Sequence, residues 1–110
     1  MNWTRLVTPL SLSVLALGAQ ANEQLAASRN CLNCHGVQER KIRLYPSYQE
    51  VARKYAGQAG AEQALVQKVL AGGKGGFGAL YMPAQKGIVS EAEARQLVKW
   101  ILSLPPATAR

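Results

Sequence analysis

The sequence is short of metal ligands and of the groups that side-chain catalysis uses. It has one histidine, two cysteines and two methionines in 110 residues. A structural zinc site takes four ligands, more than two cysteines and one histidine supply. There is no Ser-His-Asp set, no pair of carboxylates and no metal cluster, so nothing offers itself as a catalytic centre built from side chains. Aromatic residues are 6% of the chain, which leaves Trp3, Tyr45, Tyr48, Tyr55, Phe77, Tyr81 and Trp100 as large core blocks. No β-branched stretch alternates for long enough to suggest a sheet. That excludes the βαβ setting of a C-x-x-C thiol oxidoreductase. The glycines between Gly72 and Gly78 have neither a strand before them nor a Gly-Lys-Ser/Thr ending, so they are not a phosphate loop. One long apolar run exists, Leu6 to Leu17, and it is shorter than the ~20 residues a bilayer requires.

That run belongs to a leader. Arg5 supplies a positive start, the apolar run follows, and Ala19-Gln20-Ala21 is a small-x-small cleavage site. The expected division is therefore 1–21 as a cleaved signal peptide and 22–110 as one domain, exported across the inner membrane to the periplasm. No cysteine follows the apolar run, which argues against a lipid anchor, and no later segment is apolar enough for stable membrane insertion. Cleavage removes Arg5 and no acidic residue, so the formal charge falls from +7 to +6. The basic residues are spread along the chain. Arg40-Lys41-x-Arg43 is the only cluster, and a solvated loop accounts for it better than a nucleic-acid patch does. A basic surface suits an acidic protein partner.

The mature segment reads as about four short helices. The first runs from Asn22 to about Asn30, and residues 36–46 form a loop ending at Pro46. Ser47-Tyr48-Gln49-Glu50 is a capping box, followed by Tyr48, Val51, Ala52 and Tyr55 on one helical face and by Gly57 as a stop. Ala61 to Ala71 is a third helix with Ala61, Leu65 and Val69 on one side, and Gly72-Gly73 ends it. Ser90-Glu91-Ala92-Glu93 is a second capping box. It opens a helix with an apolar stripe of Ala94, Leu97, Val98 and Ile101, stopped by Pro105-Pro106. So small a core needs a staple or a cofactor.

Cys31-Leu32-Asn33-Cys34-His35 is a C-x-x-C-H sequence, the signature of c-type haem attachment. Residues three and four apart share a helical face, so both thiols can meet the vinyl groups along one haem edge while His35 faces the iron. A plain disulfide between the cysteines would leave His35 without a part. Once the leader is gone, Met82 is the one methionine left. Its thioether is a soft ligand that favours ferrous iron and raises the potential, and its bland reading is core filler.

The chain resembles the small bacterial class I cytochromes c of the cytochrome c-551/c-552 type. The resemblance rests on Cys31 to His35, on Pro46 to Gly60 with its Tyr55-Ala-Gly-Gln-Ala-Gly60 ending, on Met82-Pro83 and on Ser90 to Leu102. It implies an all-α fold wrapped around one haem c, with the first and last helices crossing near it. It implies a hydrogen bond from the His35 ring to the Pro46 carbonyl, and it places Lys68 near a haem propionate, where a solvated helix lysine is the plainer reading. Three features depart from the pattern. Tyr45 stands where a glycine is usual before the loop proline. Phe77 replaces a tryptophan whose indole would bond a propionate. The stretch from Met82 to Ser90 is slightly long.

The expectation is a diffusible, non-enzymatic carrier of single electrons, with haem c held by Cys31 and Cys34 and with His35 and Met82 on the iron. The alternative is a dedicated haem subunit of a periplasmic dehydrogenase or reductase complex. A ligand-binding haem sensor follows if Met82 does not hold the iron.

Overall fold

The computed structural model describes residues 13–78 and 81–108. The first twelve residues of the expected leader lie outside the described residues. Four α-helices carry the fold: α1 (Ser13–Ser28), α2 (Tyr48–Tyr55), α3 (Ala61–Ala71) and α4 (Glu91–Ser103). Between α1 and α2 runs a single 3-10 turn, Cys31–Asn33, and then a loop.

Local chemistry sets most of these boundaries. α1 ends two residues before the expected Asn30, because Asn30 takes a left-handed φ of 64°, a conformation that asparagine tolerates better than most residues. α1 also continues back through Ala21 to Ser13, across the expected cleavage site. Ser47 and Ser90 both form complete capping boxes, each accepting from the backbone N–H of the glutamate three residues on while that glutamate accepts from the serine's own N–H. A cap of this kind is worth about 1 kcal/mol.

The helices enclose a core of Ala26, Tyr48, Val51, Val66, Val89, Ala94, Leu97, Val98, Trp100 and Ile101. The stripe expected on α4 is buried in full, and Trp100 joins it. On α3 Ala61 of the expected stripe is buried together with Val66, while Leu65 and Val69 are half-buried against the core. Leu65 and Val69 instead line a cleft between the helices. α1 meets α4 through Ala26, through an ion pair from Arg29 to Glu93 at 2.8 Å and through Gln96 donating to Asn22 at 2.8 Å. These contacts all fall after Ala21, so cleavage there leaves them whole. The C-terminal tail returns to α2, where the Ala107 N–H donates to the Gln49 carbonyl at 3.1 Å.

A minimal sheet is present that the sequence did not suggest. β1 (Gly73–Lys74) and β2 (Tyr81–Met82) pair antiparallel, Gly73 opposite Met82 and Lys74 opposite Tyr81. Glycine and lysine are poor strand formers. The ladder arises because the chain doubles back at the end of α3.

Candidate functional site

The helices leave a cleft, and the structure brings Cys31, Cys34, His35, Pro46, Lys68 and Met82 to its walls. Val51 of α2, Leu65 and Val69 of α3, and Leu97, Val98 and Ile101 of α4 supply the apolar lining.

The cysteine motif is one tight turn. The Cys34 and His35 N–H groups both donate to the Cys31 carbonyl, at 3.3 Å and 3.0 Å, so the two cysteines and the histidine gather about a single carbonyl. Both cysteines are free thiols, each partly exposed. Burial pushes the Cys31 thiol up from its ordinary pKa.

His35 is fixed from three directions. Its Nδ1 lies 2.8 Å from the Pro46 carbonyl oxygen. A carbonyl only accepts, so the ring proton stands on Nδ1 and Nε2 keeps its lone pair. The ring stacks on Tyr48 at 5.1 Å and 19°, and Tyr45 lies tilted beside it at 6.2 Å. Burial lowers the imidazole pKa, which favours the neutral form that binds metal. Tyr48 in turn meets Trp100 edge-on at 5.7 Å, and burial drives its phenol well above the usual range.

The loop that carries Pro46 is tied down at both ends. The Tyr48 and Gln49 N–H groups donate to the Gly36 and Val37 carbonyls, at 2.8 Å and 3.0 Å. Arg40 bonds both carboxylate oxygens of Glu50 at 2.9 Å, and Lys41 reaches the Leu32 carbonyl at 3.1 Å. Leu44, 61% exposed, stands at the rim of the cleft.

Met82, on β2, joins the lining and is half-buried. Its segment is fastened to the end of α3 by backbone bonds from Gln85 N–H to the Val69 carbonyl at 3.0 Å and from Lys86 N–H to the Leu70 carbonyl at 3.2 Å. Gly72 makes this approach possible. At its φ of +68° an L side chain is strained, and a Cβ would strike the Met82 carbonyl. The extra length after Met82 folds as a turn in which the Ile88 and Val89 N–H groups donate to the Gln85 carbonyl, with Val89 buried and Ile88 exposed.

Lys68 donates to the Lys74 carbonyl at 2.7 Å. Sequence reasoning did not anticipate Lys54, whose ammonium donates to the Gly76 carbonyl at 2.7 Å and lies 4.8 Å over the Phe77 ring. It also read Trp100 only as bulk. Its place behind Tyr48 depends on how α2 packs on α4.

The donor set fits a haem held at two thiols. Paired thiols and an imidazole share one turn, Met82 brings a thioether to the same cleft, and most of the other lining side chains are apolar. No group of three or more His, Cys, Asp or Glu that could hold a bare metal ion occurs among the described residues.

A model of the cytochrome c family matches residues 19–105. The chain is similar to cytochrome c-552 of Hydrogenobacter thermophilus, 45% identical over 84 residues that cover 76% of this chain and 82% of that protein. It is 52% identical to cytochrome c2 of Rhodocyclus tenuis over 85 residues, covering 73% of this chain and 88% of that one. Among solved structures, wild-type Nitrosomonas europaea cytochrome c552 matches with a TM-score of 0.68 at 34% identity, covering 74% of this chain and 96% of that chain.

Proposed function

The chain belongs to the cytochrome c family, whose cofactor is covalently bound haem c, and from that premise we propose that it is a periplasmic electron carrier with one haem, ligated by His35 and Met82. The observation that carries this reading is the position of the only histidine, both cysteines and Met82 on the walls of one apolar cleft. When bound, the haem supplies the one-electron chemistry, its iron passing between ferrous and ferric.

The protein's own groups hold and tune that centre. Cys31 and Cys34 anchor it as thioethers. His35 offers Nε2, and the Pro46 carbonyl on Nδ1 fixes the ring's tautomer and raises its basicity. Met82 offers a thioether that favours the reduced state. Lys68 spends one N–H on the Lys74 carbonyl and keeps two for a propionate. The leader 1–21 directs the chain to the periplasm. No helix among the described residues is long and apolar enough to cross a membrane.

The partners are proteins with acidic docking surfaces. Leu44 at the cleft rim and Ile42 are exposed apolar side chains flanked by Lys41 and Arg43. Such a mixture meets an apolar centre ringed by carboxylates.

Purification from a host able to attach haem c tests the reading. The expected result is a coloured protein whose haem survives denaturing extraction and whose ferric spectrum carries the sulfur-to-iron charge-transfer band. A colourless product from that host overturns it. Electron exchange with an acidic partner that slows as salt rises is the expected behaviour of the free carrier. A stable co-purifying dehydrogenase or reductase would point to a haem subunit instead.

A further inference from the structure

Residues 73–78, a glycine-rich stretch after α3, have one apolar anchor, Phe77, partly buried against the core, and they form part of the cleft. Gly73, Gly75, Phe77 and Gly78 all line it, and Gly75, Gly76 and Gly78 are exposed. Lysines from two different helices hold this segment. Lys54 of α2 donates to the Gly76 carbonyl at 2.7 Å with its ammonium 4.8 Å over the Phe77 ring, and Lys68 of α3 donates to the Lys74 carbonyl at 2.7 Å. The same segment pairs with the strand that carries Met82, with Gly73 opposite it. A charged donor gives a stronger hydrogen bond than a neutral one, and a cation over an aromatic face adds to it.

We infer that Lys54 is a positioning residue. By clamping Gly76 and Phe77 onto α2 it holds the loop closed over the cleft, and through the Gly73–Met82 pairing it keeps the Met82 thioether on the iron. The inference rests on the axial role given to Met82 above. Phe77 cannot donate a hydrogen bond as a tryptophan would, and the lysine over its ring supplies a tether of a different kind. Gly76 belongs to the same device. Its φ is not in the left-handed region, so its backbone accepts alanine, but the space a Cβ needs is taken by the Lys54 ammonium.

The test uses haem-loaded protein and two readouts. The first is the affinity of the ferric protein for added imidazole, which must displace Met82. The second is amide hydrogen exchange of residues 73–78. Lys54→Met keeps the apolar stem and removes the donor and the charge. It should raise imidazole affinity about tenfold, the ratio a lost charged hydrogen bond of this size gives, and speed exchange in the segment. Gly76→Ala leaves every charge in place and evicts the ammonium, so it should move both readouts the same way. Lys54→Arg keeps the charge and the donors and should stay near wild type. Wild-type affinity and exchange in Lys54→Met overturn the inference. So does a change in Lys54→Met that Gly76→Ala does not share, since that marks an effect of charge alone. A wild-type protein lacking the charge-transfer band instead overturns the Met82 reading itself, before any variant is made.

Discussion

On one side of the cleft His35 is wedged between the Pro46 carbonyl and the Tyr48 ring, with Trp100 closing the stack from α4. Met82, by contrast, occupies a two-residue strand paired with Gly73 and Lys74, and its segment's fastenings are backbone bonds to the end of α3. The first wall is held by buried aromatic area and is part of the core. The second is held by hydrogen bonds near solvent, each worth about 1 kcal/mol net. Damage to the histidine wall should therefore register in global stability. Damage to the methionine wall should register in the properties of the iron while the fold survives.

The largest effect removes what both walls hold. Cys31→Ala with Cys34→Ala should leave little haem-loaded protein, read by haem staining of a denaturing gel, because binding then rests on packing and one imidazole. Trp100→Ala strikes the histidine wall alone. It empties a side chain that is 5% exposed and should cost about 3–5 kcal/mol in urea unfolding. A loss below about 1 kcal/mol would show that packing does not sustain that wall.

Met82→Ala is the matching change on the other side. Haem should stay attached, the unfolding midpoint should move less than in Trp100→Ala, and the potential should fall by on the order of 0.1 V, within the ~0.8 V that axial ligands span. An unchanged potential in electrochemical titration would remove Met82 from the iron. Smaller still is the pair of caps. Ser47→Ala and Ser90→Ala should each cost about 1 kcal/mol of stability. Ser47 should cost the more, because it is 1% exposed while Ser90 faces solvent.

The smallest effect is acid sensitivity at the base of the histidine wall. The Arg40 hydrogen bond holds the Glu50 carboxyl below its ordinary value of 4.5. The stabilisation is therefore present above that value and lost as pH falls through the lower folded pKa. The pair is largely exposed, so the loss should stay below about 1 kcal/mol. Glu50→Gln should flatten the slope of stability against pH in that range.

Much of this was legible in the sequence where one local rule decides. The two capping boxes fixed where α2 and α4 begin, and the α4 stripe named its buried face. The motif from Cys31 to His35 announced the cofactor. Legibility failed where two elements must meet. Val66 is buried beside the expected Ala61 while Leu65 is left on the cleft wall, an outcome that depends on what packs against α3. The β1–β2 ladder is two residues long on each side, too short for any alternation to announce it. The bond from Lys54 to Gly76 joins positions far apart in the chain, and no periodicity links them.

By itself the sequence determined which donor groups are present, because thiol, imidazole and thioether are properties of single residues, and the spacing that puts Cys31, Cys34 and His35 on one turn is a property of the backbone. Only the tertiary structure decided that Tyr48 and Trp100 stand behind His35 and that lysines from two helices hold the glycine segment. Those relations come from distant elements packing together, and the free energy that selects them is spread over the whole core.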